Sequence, residues 1–192
     1  MADRALNLAI IVGSTREGRF GDTVGRWFAN EAASHGGFAI DLIDLIDIKL
    51  PARHGIKPTT PEVEAFRARL AAADAFVIVT PEYNHSYPAS LKHAIDQAYA
   101  EWMAKPVGFV SYGGTVGGAR AIEHLRHVFA EVHATTIRDY IPFINARRQF
   151  DENGDPIDRE GPRNAAKVML DRLAWWADAL RTAREARPYV KS

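Results

Sequence analysis

The chain of 192 residues contains no cysteine. That absence excludes disulfides, thiolate catalysis and cysteine-ligated zinc or iron–sulfur centres, so any redox chemistry needs a borrowed cofactor. Net charge is also absent. Lys+Arg and Asp+Glu number 24 each, which argues against broad attraction to nucleic acid or anionic lipid. No long apolar run occurs. The stretch Leu8–Val12 is too short to span a bilayer or to serve as a signal core, and a cytoplasmic location is the default expectation, with no membrane partner. The seven histidines show no metal-ligand spacing, so no metal site is expected. What is present is ordinary for a globular domain: 47% hydrophobic and 25% charged residues. A single domain over 1–192 is expected, long enough to bury a core without staples.

Short apolar runs alternate with helical patterns. Leu6–Val12, Ala75–Thr80 and Val107–Tyr112 read as strands buried on both faces, and Phe38–Leu45 as another strand. A fifth lies near Ala134–Ile137, with an apolar extension Tyr140–Ile144. Helical spacing is seen at Val24, Trp27, Phe28 and Ala32. Thr60-Pro61 opens a helix with Val63, Phe66 and Leu70 on its apolar face. Leu91 to Trp102 reads as one continuous helix, and Ile122, Leu125, Phe129 and Val132 mark the next. The last runs from about Asn164 to Arg184 with Met169, Leu173, Trp176 and Leu180 on one face. Trp27, Trp175 and Trp176 are expected in core or interface packing, and packing is also the favoured reading of Trp102. Residues Ile46–Thr60 form a loop, Ala146–Pro162 a mobile polar excursion, and Arg181, Arg184, Arg187 and Lys191 a solvated helix end. The fold class is therefore α/β: a doubly wound, five-stranded parallel sheet in the order 2-1-3-4-5, with helices on both faces.

Ligands of such sheets bind outside the carboxyl ends of the strands, which draws attention to three loops. Residues 13–21 read Gly-Ser-Thr-Arg-Glu-Gly-Arg-Phe-Gly before a helix. Hydroxyls, two arginines and a helix N-terminus suit a phosphate monoester. The segment is neither a Walker loop nor a GxGxxG fingerprint. Residues 80–88, Thr-Pro-Glu-Tyr-Asn-His-Ser-Tyr-Pro, make a proline-stiffened loop with flat tyrosine faces, suited to a planar heteroaromatic ring. His85 has no visible carboxylate partner and reads as surface. Ser111–Gly118 holds four glycines in eight residues, which lets a ligand edge approach the backbone.

These pieces, together with Pro-Ala-Ser-Leu-Lys-His-Ala-Ile-Asp after the second loop, resemble the NADPH-dependent FMN reductase family over about residues 6–145. This is a flavodoxin-like group that includes quinone, chromate and azo reductases. The resemblance implies FMN as cofactor and NADPH or NADH as co-substrate, with hydride passing to the flavin N5. Electrons then go to a quinone, an azo compound, a metal oxyanion or free flavin, so the partner is a small-molecule electron acceptor. It implies that Ser14, Arg16 and Arg19, Phe20 and Gly21 hold the FMN phosphate. Pro81, Glu82, Tyr83 and Asn84 would border the isoalloxazine, and Ser111, Tyr112, Gly113 and Gly114 would flank its other edge. No side chain is assigned a catalytic role, because the flavin carries the chemistry. A homodimer or homotetramer is implied in the same way. The chain departs from the family where members often place Ser and Asn after the loop arginine. Here Arg19, Phe20 and Gly21 stand, so Arg19 or backbone N–H groups would supply the remaining phosphate donors.

The alternative is a flavodoxin-like FMN-binding electron carrier without intrinsic NAD(P)H oxidation. The neutral charge argues against it, because such carriers tend to be strongly acidic. A flavin reductase that releases FMN as a substrate is a further variant. A receiver-type signalling domain is set aside, since Gly13-Ser14-Thr15 and Thr80-Pro81 occupy the places of its acidic residues.

Overall fold

The computed structural model describes residues 5–52 and 59–190. The expected loop residues Gly55 and Pro58, and Lys191 of the tail, lie outside the described residues. In chain order the elements are β1 (Leu6–Val12), α1 (Gly21–His35), β2 (Phe38–Asp44), α2 (Pro61–Ala72) and β3 (Ala75–Pro81). Then come α3 (Ala89–Ile95), β4 (Pro106–Gly113), α4 (Ala119–Glu131), β5 (Thr135–Ile144) and α5 (Glu160–Ala186). The sheet order is β2-β1-β3-β4-β5, and every pairing is parallel.

Strand alternation sorts the core into two layers. Leu8, Ile10 and Val12 face one side, where they pack with Val24, Trp27 and Phe28 of α1 and Met169 and Leu173 of α5. Ala9 and Ile11 face the other, with Phe66 and Leu70 of α2 and Ile122 and Phe129 of α4. Thr60 caps α2 by accepting from the Val63 N–H, with Pro61 in the first turn. Among the described residues no helix is long and apolar enough to cross a membrane.

Several expectations are corrected. The Leu91–Trp102 pattern is not one helix, because α3 stops at Ile95 and a 3₁₀ turn carries Ala100–Trp102. Its indole Nε1 donates to the Ile95 carbonyl at the helix end, at 3.2 Å, beside the Ala98 N–H that the same carbonyl also accepts. The ring lies 4.6 Å from Phe76 and 5.5 Å from Phe129. Burying this largest side chain outweighs another turn of helix. The two pieces expected of the fifth strand are one strand with a register shift: Val107 faces Thr136 and Phe109 faces Tyr140, so β5 advances four residues against two. Arg126 of α4 donates to the Ile137 and Arg138 carbonyls at this irregularity, at 2.8 and 3.1 Å.

Residues 146–162 are structured rather than an open excursion. A 3₁₀ turn spans Ala146–Arg148, Phe150 bridges Pro156, and α5 already begins at Glu160. Phe150 is buried, with its ring 4.8 Å from Phe143 and 5.3 Å from Phe20. Pro162 is tolerated because it falls in the first turn of α5, where N–H groups need no helical partner. The buried face of α5 is Ala166, Met169, Leu170, Leu173 and Ala177. Trp175 and Trp176 are therefore exposed, at 66% and 37%. Small Ala166 and Ala177 let the helix lie close to the sheet, and the bulky indoles turn outward. Arg181 and Arg184 are not solvated. Both ion-pair with buried Asp74, at 3.8 and 3.4 Å, and Arg184 donates to the Ala104 carbonyl at 2.6 Å.

Candidate active site

The loops after β1, β3, β4 and β5 meet at the carboxyl rim of the sheet. The first begins at Gly13, whose N–H donates to the Val79 carbonyl. A side chain here would press on Leu91 at 3.1 Å, so glycine lets α3 approach. Ser14 is fully buried, and its Oγ shares a hydrogen bond of 2.7 Å with the Tyr83 hydroxyl. Arg16 extends over the Tyr83 ring, 5.7 Å from its centre, and makes no ion pair among the described residues. Arg19 is differently placed. Its two terminal nitrogens hold both oxygens of Asp44 at the end of β2, and one also donates to the Ser14 carbonyl. The Asp44 carboxylate holds the Arg19 guanidinium in its charged form more firmly than usual.

Phe20 occupies the cap position of α1, and no side chain caps that helix. The first-turn N–H groups therefore have no side-chain acceptor. Tyr112, at the end of β4, lies against this terminus: a side chain on Gly21 would meet the Tyr112 oxygen at 2.5 Å. Tyr112 is buried, and its hydroxyl lacks a hydrogen bond of full geometry, with the Ser14 hydroxyl, already bound to Tyr83, lying beside it. Burial, and then the neighbouring Tyr83, push this phenol above its ordinary range, so it stays protonated and able to donate.

In the loop after β3, Tyr83 and Ser86 exchange both backbone hydrogen bonds, at 2.8 and 3.1 Å, across Asn84 and His85. Both central residues have positive φ, 49° and 71°, as a tight two-residue turn requires. His85 is exposed, as expected of a surface histidine. Glu82 accepts from the Arg120 N–H at the start of α4 and pairs with its guanidinium at 2.7 Å. In the glycine loop, the buried Ser111 hydroxyl donates to the Gly117 carbonyl at 2.7 Å. Gly118 has φ 89°, and a side chain there would meet Ser111 Cβ at 2.7 Å. A Cβ on Gly114 would meet nothing within 4 Å.

Together these walls enclose a cleft of about 500 Å³, within the usual range for ligand sites. Of the residues expected from sequence, Arg16, Arg19, Phe20, Pro81, Glu82, Tyr83, Tyr112, Gly113 and Gly114 line it. Ser14, Gly21, Asn84 and Ser111 do not: Ser14, Gly21 and Ser111 are buried behind the loops, and Asn84 is exposed in its tight turn. The fourth wall, Asn145–Arg148, was missed. Its signal was available: an Ala-Arg-Arg run directly after the carboxyl end of a strand. An uncapped helix start, a buried hydroxyl without a full hydrogen bond and an unpaired arginine form a donor set for a phosphate dianion. Tyr83 and the open Gly113–Gly114 edge leave room for a flat ring. The residues present thus fit a flavin mononucleotide.

Residues 6–148 match the family model described as NADPH-dependent FMN reductase. The chain belongs to the NADPH-dependent FMN reductase family. It is 31% identical over 179 residues to a 2-hydroxy-1,4-benzoquinone reductase from a Burkholderia species, covering 90% of this chain and 96% of that one. It is 34% identical to a probable NADPH:quinone oxidoreductase of Oryza sativa, covering 90% and 89%. An NAD(P)H-dependent FMN reductase of Schizosaccharomyces pombe is 38% identical, the match spanning 63% of this chain and 64% of that one, just under two thirds. Among solved structures, the flavoenzyme NAD(P)H:(acceptor) oxidoreductase of Paracoccus denitrificans superposes with a TM-score of 0.71 at 23% identity, over 91% of this chain and 98% of that one. That last likeness is one of fold, and it places this FMN reductase family member on a flavodoxin-like frame.

Proposed function

We propose that the chain is an NAD(P)H-dependent oxidoreductase that holds FMN in this cleft and passes electrons to a small acceptor of the quinone type. Bound there, FMN supplies the two-electron chemistry that no side chain of this cysteine-free protein can. The observation that carries the reading is the Tyr112 hydroxyl, buried without a full hydrogen bond beside an uncapped helix start. A buried polar group left unsatisfied is costly, and a phosphate at this point would relieve it. Arg16, on the loop that leads into this helix, would add a charge-assisted contact. Tyr83, fixed by Ser14 and by its tight turn, and the Gly113–Gly114 backbone would border the ring. Glu82, neutralised by Arg120, anchors its loop to α4. The quinone class of acceptor rests on the names of the two relatives that match along most of their length.

The test uses the full-length protein, loaded with FMN and mixed anaerobically with NADPH or NADH. Bleaching of the flavin absorbance, and its return on adding a benzoquinone, is the expected result. A protein that takes up no flavin overturns the reading. One that takes it up but is not bleached by either nicotinamide is an electron carrier instead. We also propose one FMN-binding domain over the chain, a cytoplasmic location and a homodimeric or homotetrameric state, the last checked by light scattering.

A further inference from the structure

Arg19 lines the cleft, but both its terminal nitrogens are bound to Asp44, whose carboxylate neutralises its charge. Of the two first-loop arginines, only Arg16 keeps a charge that no ion pair compensates among the described residues. The structure supplies a second such charge from elsewhere. Residues 145–148, after β5, form a turn that lines the same cleft. Asn145 is left-handed, with φ 51°, and its N–H donates to the Gly114 carbonyl at 3.0 Å. Arg148 and Gln149 N–H groups close the turn on Asn145 and Ala146, at 2.8 and 2.9 Å. Ala146 and Phe150 are buried on either side of the two arginines, so the turn is pinned at both ends.

Arg147 and Arg148 divide the work. Arg147 donates to the Gly18 carbonyl at 2.6 Å and lies over the Phe20 ring at 5.2 Å. It straps the turn to the first loop, next to the start of α1. Arg148 faces the cleft, is exposed and has no ion pair among the described residues. Arg16 is the matching unpaired guanidinium on the first loop. The other charges at the site are Glu82, neutralised by Arg120, and exposed Glu17.

We propose that the turn after β5 is a phosphate-reading element of this protein, with Arg148 contacting a phosphate dianion and Arg147 positioning it. It adds the uncompensated second charge that Arg19, neutralised by Asp44, does not bring. The dianion is the 5′-phosphate of FMN, because Arg147 ties the turn to the loop and helix start already assigned to that group. The same chemistry is offered by the 2′-phosphate of NADPH, and the experiment separates the two. The proposal rests on the reading of the cleft as a flavin site.

The test measures affinity by fluorescence titration of the full-length, flavin-stripped protein with FMN and with riboflavin, which lacks the phosphate. Arg148→Ala is expected to weaken FMN about tenfold or more while changing riboflavin less than about twofold. Arg148→Lys should fall between, since it keeps charge but loses the fork. Arg19→Ala should change the FMN-to-riboflavin ratio less than Arg148→Ala does. If FMN affinity holds and the KM for NADPH rises without that for NADH, Arg148 reads the nicotinamide's phosphate. If neither ligand distinguishes Arg148→Ala from the parent, the proposal is overturned. Thermal melts of each variant guard against misfolding, and Arg148→Gln repeats the test if the alanine variant is unstable. Failure of the parent protein to bind either flavin overturns instead the reading of the cleft.

Discussion

Tyr112 joins stability to binding in one atom. Its hydroxyl is buried without a full hydrogen bond, which costs about 1–3 kcal/mol in a folded protein. Tyr112→Phe is therefore expected to stabilise the flavin-free protein by about 1 kcal/mol, measured by urea unfolding. The same change should weaken FMN but not riboflavin. Equal loss for both ligands would place the hydroxyl away from the phosphate. Tyr112, Arg16 and Tyr83 were readable in the sequence because they sit in loops that follow buried strands. The pairing of Arg19 with Asp44 was not, because Asp44 lies 25 positions along the chain on a neighbouring strand, and such pairings leave no local pattern. Arg148 was hidden for another reason: its segment is polar and rich in Gly and Pro, which reads as open loop.

At the level of the element, the segment after β5 depends on Phe150. Its ring closes a cluster with Phe20, Trp27 and Phe143. Phe150→Ala should cost about 3 kcal/mol in urea unfolding and weaken FMN, because the turn carrying Arg147 and Arg148 loses its anchor. Unchanged FMN affinity in a destabilised variant would separate the turn from the site. Other elements were legible to different degrees. The buried strands β1, β3 and β4 announce themselves as continuous apolar runs, since both faces are covered. The end of α3 does not, because the spacing from Leu91 to Trp102 is the same whether the chain stays helical or tightens into a 3₁₀ turn. The decision belongs to Trp102, which packs on Phe76 and Phe129, residues of two other elements.

For the molecule as a whole, strand order and parallel direction followed from the alternation of strands with helices. What did not follow was the polar cluster at the amino end of the sheet. There Asp74 holds Arg181 and Arg184, and Lys105 donates to the Leu70 and Ala71 carbonyls that end α2, at 2.8 and 3.0 Å. Burial, then the nearby Arg184, lower the Lys105 pKa to about 8, against the opposing pull of Asp74 and Glu101. The unfolded chain keeps the ordinary lysine value near 10.4. Between about pH 8 and 10 the unfolded state thus binds a proton that the folded state has released, and stability rises with pH. Below that window both states are protonated, and this group contributes no slope. Urea unfolding from pH 8 to 10 should show the rise, and Lys105→Met should flatten it. A parent protein whose stability falls across this interval would contradict the assignment.

Because all five strands point the same way, their two ends have separate duties. A strand of seven residues such as β3 keeps them about 23 Å apart, well beyond the distance at which substitutions stop influencing one another. Anyone wishing to toughen this catalyst for use in hot or solvent-rich reactors can therefore rebuild the Asp74 end freely, and the chemistry at the opposite rim should not register the repair.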